Sequence, residues 1–188
     1  MNIPIARSDI HIHLSEEHIS ILFGDSHKLH NIKDLTIPGQ FVCSERVIVT
    51  GPEGSIEDVV VVGPARRETQ VEISITNGLS LGITPPVRMS GNLENTPGCI
   101  LIGPLGSVSL KKGVIASKRH IHMHTNQARE WNLSDGQSVC VKVPGSRALI
   151  FDEVIMRVGE DQAQEMHVDF DEGHAAGITD FQSVEIIP

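Results

Sequence analysis

The chain has 188 residues, a hydrophobic content of 39%, an aromatic content of 3% with no tyrosine, and a formal net charge of −9. That charge and the lack of aromatic stacking groups exclude nucleic acid and anionic membrane surfaces as bulk electrostatic partners. No apolar run is long enough to span a bilayer, no signal peptide is evident, and the widely spaced Cys43, Cys99 and Cys140 read as cytosolic core thiols rather than a disulfide scaffold or zinc ribbon.

In chain order, the first informative element is an apolar-framed His-x-His, Ile10-His11-Ile12-His13-Leu14. Residues i and i+2 of a strand face the same side, so His11 and His13 point two imidazoles at one spot. Such a pair can begin a zinc or other transition-metal site. A lone copy on an edge strand is more often solvated decoration, so the weight falls on whether it recurs. Residues 15–23 predict a helix, with Ser15 as N-cap, Glu16 and Glu17 in the first turn and Gly24 as the stop. Short β-branched runs at 47–49, 59–62 and 71–75 are separated by Gly51-Pro52-Glu53-Gly54 and Gly63-Pro64-Ala65-Arg66, which predicts a β-meander. Residues 76–98, rich in Gly, Pro and Asn, read as a crossing loop between two halves. Strands follow at 100–102, 108–110 and 114–116.

The second His-x-His is Arg119-His120-Ile121-His122-Met123. A helix is expected over 125–131 with Thr125 as its cap, strands over 139–143, 154–158 and 166–168, and a short helix over 171–176. Many short strands and few helices argue for barrels or sandwiches.

The two halves are repeats. Val59 to Val154 and the Gly-Ile-Thr at 82 and 177 share an offset of 95, and that register lays Glu72 on His167. The front ends are offset by 109, from His11 to His120, so the first half carries about 14 extra residues, placed around 28–42. Each half therefore reads His-x-His, helix, strands, then one more ligand-type residue on a strand. Internal repetition on this scale means two copies of one supersecondary unit. Three ligands plus an open position is the pattern of a catalytic metal. Arg66 and Arg67, just before the strand of Glu72, and Arg88 are either surface charges or forks for a phosphate or carboxylate.

Two His-x-His classes fit poorly. A (β/α)₈ amidohydrolase needs about 250 residues and alternating helices, and a cupin would need strands before His11 and a glutamate after the second copy. A third class covers most of the chain. The stretches His11-Ile-His13-Leu-Ser15, Gly63-Pro-Ala-Arg66, Thr69-Gln-Val-Glu72-Ile-Ser74, Val87-Arg-Met-Ser-Gly-Asn92, Arg119-His-Ile-His-Met123 and Glu165-Met-His167-Val-Asp169, followed by Asp171-Glu172, resemble in order those of the PduL-type phosphotransacylases, or phosphate propanoyltransferases. The resemblance implies two small, pseudo-symmetric β-barrel domains capped by short α-helices, expected here at 1–92 and 93–188 with strand exchange between them allowed. It implies a dinuclear zinc site (two Zn2+ per chain) between the barrels and transfer of a propionyl or acetyl group between coenzyme A and inorganic phosphate. One zinc would take His11, His13 and Glu72, the other His120, His122 and His167. Arg66 would be the catalytic, phosphate-contacting arginine, with Arg88 a second candidate for the same anion. The implied partners are acyl-CoA or CoA and phosphate or acyl phosphate, with a homo-oligomer expected.

The chain departs from the family pattern at Ile10, where an arginine is usual, at His124 in place of a serine, and at His174 in place of an asparagine. Only about ten residues precede His11, which implies a cytoplasmic form, with entry into a bacterial microcompartment only if an N-terminal extension has been removed. The runner-up reading is a catalytically degenerate zinc- or ligand-binding β-barrel protein. A single-site iron or manganese cupin comes third.

Overall fold

The computed structural model describes residues 1–179 and 182–187. β1 (Asn2–Ser8) leads into β2 (His11–His13), the first His-x-His, and then α1 (Glu16–Phe23). A short β3 (Asn31–Asp34) precedes the long hairpin of β4 (Phe41–Thr50) and β5 (Ser55–Gly63). Next come β6 (Gln70–Glu72), α2 (Ile75–Leu81), β7 (Val87–Arg88), β8 (Ile100–Ile102), β9 (Ser107–Ser109) and β10 (Val114–Ser117). The second His-x-His lies on β11 (His120–His124), followed by α3 (Thr125–Glu130) and the hairpin of β12 (Ser138–Val143) and β13 (Leu149–Gly159). β14 (Glu165–Asp169), α4 (Phe170–Ala176) and β15 (Ser183–Ile187) complete the described chain.

The chain divides into two compact units: Met1–Ser8 with Thr36–Pro38 and Lys118–Pro188, and Asp9–Leu35 with Gly39–Ser117. In the first unit the strands close into a barrel in the order β1-β14-β11-β13-β12-β15. Ile3, Ile5, Ile121, Met123, Met156 and Met166 fill its core. In the second unit the order is β7-β10-β6-β2-β5-β4-β8-β9, with β3 paired to β4, in a curled sheet. Its core gathers Ile12, Leu14, Val61, Val71 and Leu101. Strand alternation does this sorting: Ile12 and Ile121 are fully buried in the two cores, and the histidines either side of each face away from that core.

The repeat is visible in the ladders. β2 runs parallel to β5 with His11 opposite Val60, and antiparallel to β6 with His11 opposite Glu72. β11 runs parallel to β13 with His120 opposite Ile155, and antiparallel to β14 with His120 opposite His167. The strands that lead into the two motifs change places. β1 precedes β2 yet pairs with β14 in the barrel, Ala6 opposite His167; β10 precedes β11 yet pairs with β6 in the other unit, Ile115 opposite Glu72. A cut between 92 and 93 would therefore run through the second unit, because residues 93–117 supply β8, β9 and β10 to the sheet of β2.

Several local expectations are corrected. β4 and β5 form the expected hairpin, but β6 does not continue it as a meander. β2 lies between β5 and β6, because the His-x-His strand satisfies a ladder on each side. The strand read at 71–75 ends at Glu72, and Ser74 caps α2 through a reciprocal capping box with Asn77. The loop read at 76–98 contains most of that helix as well as β7. β-Branched residues and glycine hide the helix from propensity. Gly78 is needed there, since a Cβ would lie 2.5 Å from the Ile83 carbonyl oxygen. Thr125 is the first helical residue of α3 rather than its cap. His124 takes the cap, its Nδ1 accepting from the Asn126 N–H at 3.1 Å.

Candidate functional site

β2 presents His11 and His13 on one face, and the antiparallel register brings Glu72 across from them. Each Nε2 lies 3.8 Å from a different oxygen of the Glu72 carboxylate. That is beyond hydrogen-bond range. Two ligands of one tetrahedral zinc, each about 2.0–2.1 Å from the ion, stand about 3.3 Å apart, so an ion fits with a small inward movement. The tautomers suit it too. His11 Nδ1 sits 2.9 Å from the Asp9 carbonyl and His13 Nδ1 3.0 Å from the Val62 carbonyl. Those carbonyls take the Nδ1–H of each ring, which leaves the Nε2 lone pairs directed at the cluster, the outer-shell arrangement typical of metal-binding histidines. Burial, then the neighbouring His11 and Arg66, push His13 down to about 3, so its ring is neutral and ready to ligate.

A polar network holds Glu72. Gln70, two residues earlier on β6, donates from Nε2 to Glu72 Oε1 and to Ser90 Oγ, the latter at 2.8 Å, and its own Oε1 accepts from the Gly91 N–H at 2.7 Å. Ser90 Oγ donates to Glu72 Oε1 at 3.2 Å and accepts from Arg66 Nη1 at 3.0 Å. Arg66 is thus wired to the carboxylate through one hydroxyl. Its backbone N–H donates to the Leu14 carbonyl at 2.8 Å, which stitches it to the end of β2. Arg67 is exposed. Arg88 lies on β7 opposite Ser117 and donates from Nη1 to the Val87 carbonyl.

The second cluster is built the same way. His120 and His122 share a face of β11, and His167 lies opposite His120 on β14. The three rings stand 4.6–5.3 Å apart between centroids. His120 Nδ1 bonds to the Lys118 carbonyl and His122 Nδ1 to Gln162 Oε1. The His120 ring therefore carries its proton on Nδ1, and its Nε2 faces the His122 Nε2 at 2.9 Å, so the two inner nitrogens converge on one point. Burial, His120 and His167 push His122 down to about 3, so its ring is neutral. A metal ion could take both nitrogens. Glu165 Oε2 lies 2.7 Å from His167 Nε2 and takes that proton, leaving Nδ1 as the ligating lone pair of His167. Thr36 Oγ1 steadies Glu165 at 3.1 Å.

Gln70 and Glu165 occupy equivalent positions, opposite His13 and His122. Where the third ligand is a carboxylate its neighbour is an amide donor; where it is an imidazole the neighbour is a carboxylate acceptor. Sequence reasoning missed both, as well as Ser90 and Gln162. The available signal was that Gln70 and Glu165 stand two residues before the two third ligands. The His174 ring lies tilted against Phe170, with centroids 4.1 Å apart, and belongs to none of the metal-competent clusters among the described residues. Ile10 packs against the core of its unit.

Both clusters lie within the span that a family-wide sequence profile, described as phosphate propanoyltransferase, matches: residues 4–179. The chain is similar to a phosphate propanoyltransferase of Thermotoga maritima, 49% identical over 186 residues, which is 98% of this chain and 89% of the relative. It is 45% identical to one of Clostridioides difficile over 185 residues, covering 98% and 88% of the two chains. It is also 47% identical to one of Enterococcus faecalis over 175 residues, covering 93% and 83%.

Proposed function

Since the chain belongs to the phosphate propanoyltransferase family, we propose that it moves a propionyl or acetyl group between coenzyme A and inorganic phosphate, with one zinc ion on each His-x-His triad. The observation that supports zinc most directly is the convergence of the His120 and His122 Nε2 atoms, 2.9 Å apart, with both Nδ1 atoms already bonded elsewhere. His11, His13 and Glu72 would hold one ion, and His120, His122 and His167 the other.

In the acyl-phosphate-forming direction, a phosphate oxygen bonds to the thioester carbonyl carbon. The carbon–sulfur bond then breaks, and the CoA sulfur leaves as thiolate and takes a proton. Bound zinc supplies Lewis-acid charge for a developing oxyanion or thiolate. The chain's own residues do the rest. Arg66 binds the phosphate and offsets its charge, its guanidinium plane set by the bond to Ser90. Arg88 is a second contact for the same anion. No cysteine is poised to carry the acyl group. Burial pushes Cys43 up to about 11 and Cys99 up to about 12, and a hydrogen bond to Asp152 raises Cys140. An acyl-cysteine intermediate is therefore not part of the proposed route. Among the described residues no helix is long and apolar enough to cross a membrane.

The test is metal content per chain on protein purified without added metal, paired with CoA release from acetyl-CoA and propionyl-CoA with and without phosphate. About two zincs and phosphate-dependent release are expected, and the ratio of the two rates ranks the acyl groups. Zinc without release would instead identify a degenerate binding protein. Ser90→Ala gives a finer check. Loss of one hydrogen bond to a charged group, about 1.5 kcal/mol, raises the KM for phosphate roughly tenfold when measured at saturating zinc. An unaltered phosphate KM would remove Ser90 from the positioning of Arg66.

A further inference from the structure

The second unit contains another group of metal-competent side chains, outside both triads. His27, His30 and Glu45 place one ligand atom each within 4.8 Å of one another. His27 and His30 lie in the segment where the repeat breaks down: residues 24–40 separate α1 from β4, against 131–137 between α3 and β12, and Glu45 lies on β4 in the irregular stretch of its ladder between Val42 and Arg46. Neither the family's two triads nor the internal symmetry accounts for them.

The cluster is built around a buried carboxylate. The Glu45 side chain is 4% exposed. His27 Nε2 and His30 Nδ1 both lie 2.7 Å from the same oxygen, Oε1, and the His30 backbone N–H reaches both carboxylate oxygens at 3.2 Å. Ser44 Oγ approaches Oε2 at 3.4 Å. Two imidazole nitrogens thus meet one carboxylate oxygen, three possible ligand atoms converging on one point, while the backbone N–H holds the carboxylate in place. Phe23 stacks on His27, with ring centroids 5.2 Å apart, and fixes one ring. The His30 side chain is 68% exposed, so it can swing outward and an ion can enter from solvent.

We propose that His27, His30 and Glu45 form a third, accessory site for a divalent ion of the zinc class, with an open coordination position facing solvent. Two imidazoles and one carboxylate favour Zn2+, Co2+, Ni2+ or Cu2+ over Mg2+ or Ca2+. Moving the ligand atoms from 2.7 Å to about 3.3 Å apart would seat the ion, and rotation of the exposed His30 ring supplies that change. The ion ties the 24–30 loop to β4. Its exposure makes it weaker than the triads, so it fills on titration rather than during purification.

The experiment is calorimetric titration of Co2+ into the protein as purified, for the wild type and for His30→Ala. One additional equivalent per chain is expected in the wild type and is absent from His30→Ala, whose CoA release stays at the wild-type rate. Any filling of the triads occurs equally in both proteins, so the difference reports the third site whether or not the triads hold zinc. Glu45→Gln keeps an oxygen acceptor for the two rings but loses the anionic ligand, and it loses the same equivalent. Equal uptake by wild type and His30→Ala, or no wild-type uptake of the extra equivalent at millimolar Co2+, overturns the proposal.

Discussion

Replacing Arg66 by alanine lowers kcat by about 10²–10³, the usual cost of removing a donor that stabilises developing charge, while zinc content and melting temperature stay at wild-type values. The fold tolerates the change because Arg66 is only half-buried and its structural bond is made by the backbone N–H to Leu14, which any residue supplies. What disappears is a guanidinium wired through Ser90 Oγ to Glu72 Oε1. Arg66→Lys restores the charge without the planar fork, so it recovers part of the rate and leaves the phosphate KM raised. Steady-state CoA release with phosphate varied checks this. A folded, zinc-loaded Arg66→Ala protein with near-normal kcat would remove Arg66 from the mechanism.

His122→Ala removes one zinc per chain and brings turnover to background. Changing an outer-shell partner costs 10–100-fold in metal affinity or activity, and loss of a ligand costs more. His122 is almost wholly buried, and its removal also strands Gln162 Oε1, so stability falls by about 1–3 kcal/mol. The control is His124→Ala, two residues along the same strand. His124 caps α3 and stands outside the triad, so its loss costs about 1 kcal/mol of stability and leaves zinc and kcat untouched. Elemental analysis, thermal melting and turnover on the same three proteins separate the cases. If His122→Ala keeps both zincs, the second triad is not a metal centre.

What could be read locally was read well where chemistry repeats at short range. The two-residue period of a strand puts His11 with His13 and His120 with His122. The capping signals at Ser15 and Gly24 mark the ends of α1 as the structure has them. Long-range register was legible in one respect. The offset of 95 that lays Glu72 on His167 is the same offset that separates Val60 from Ile155 in the two parallel ladders. Short-range signals failed for α2, where a capping box and tertiary contacts around Gly78 override weak helix propensity.

The sequence by itself determined that this is a repeated, mainly β chain with two facing imidazole pairs, and that each pair has a third ligand-type residue at a matching place. The tertiary structure decided which strands lie beside each pair: β5 and β6 for one, β13 and β14 for the other, with β1 and β10 each serving the opposite unit. It also decided the outer shell of Gln70, Ser90, Gln162 and Glu165. The reason is physical. Side-chain alternation and helix caps depend on a few neighbouring residues. Ladder partners and buried hydrogen bonds are selected by satisfying every backbone group of a closed or curled sheet at once, and that condition is written over the whole chain rather than in any stretch of it.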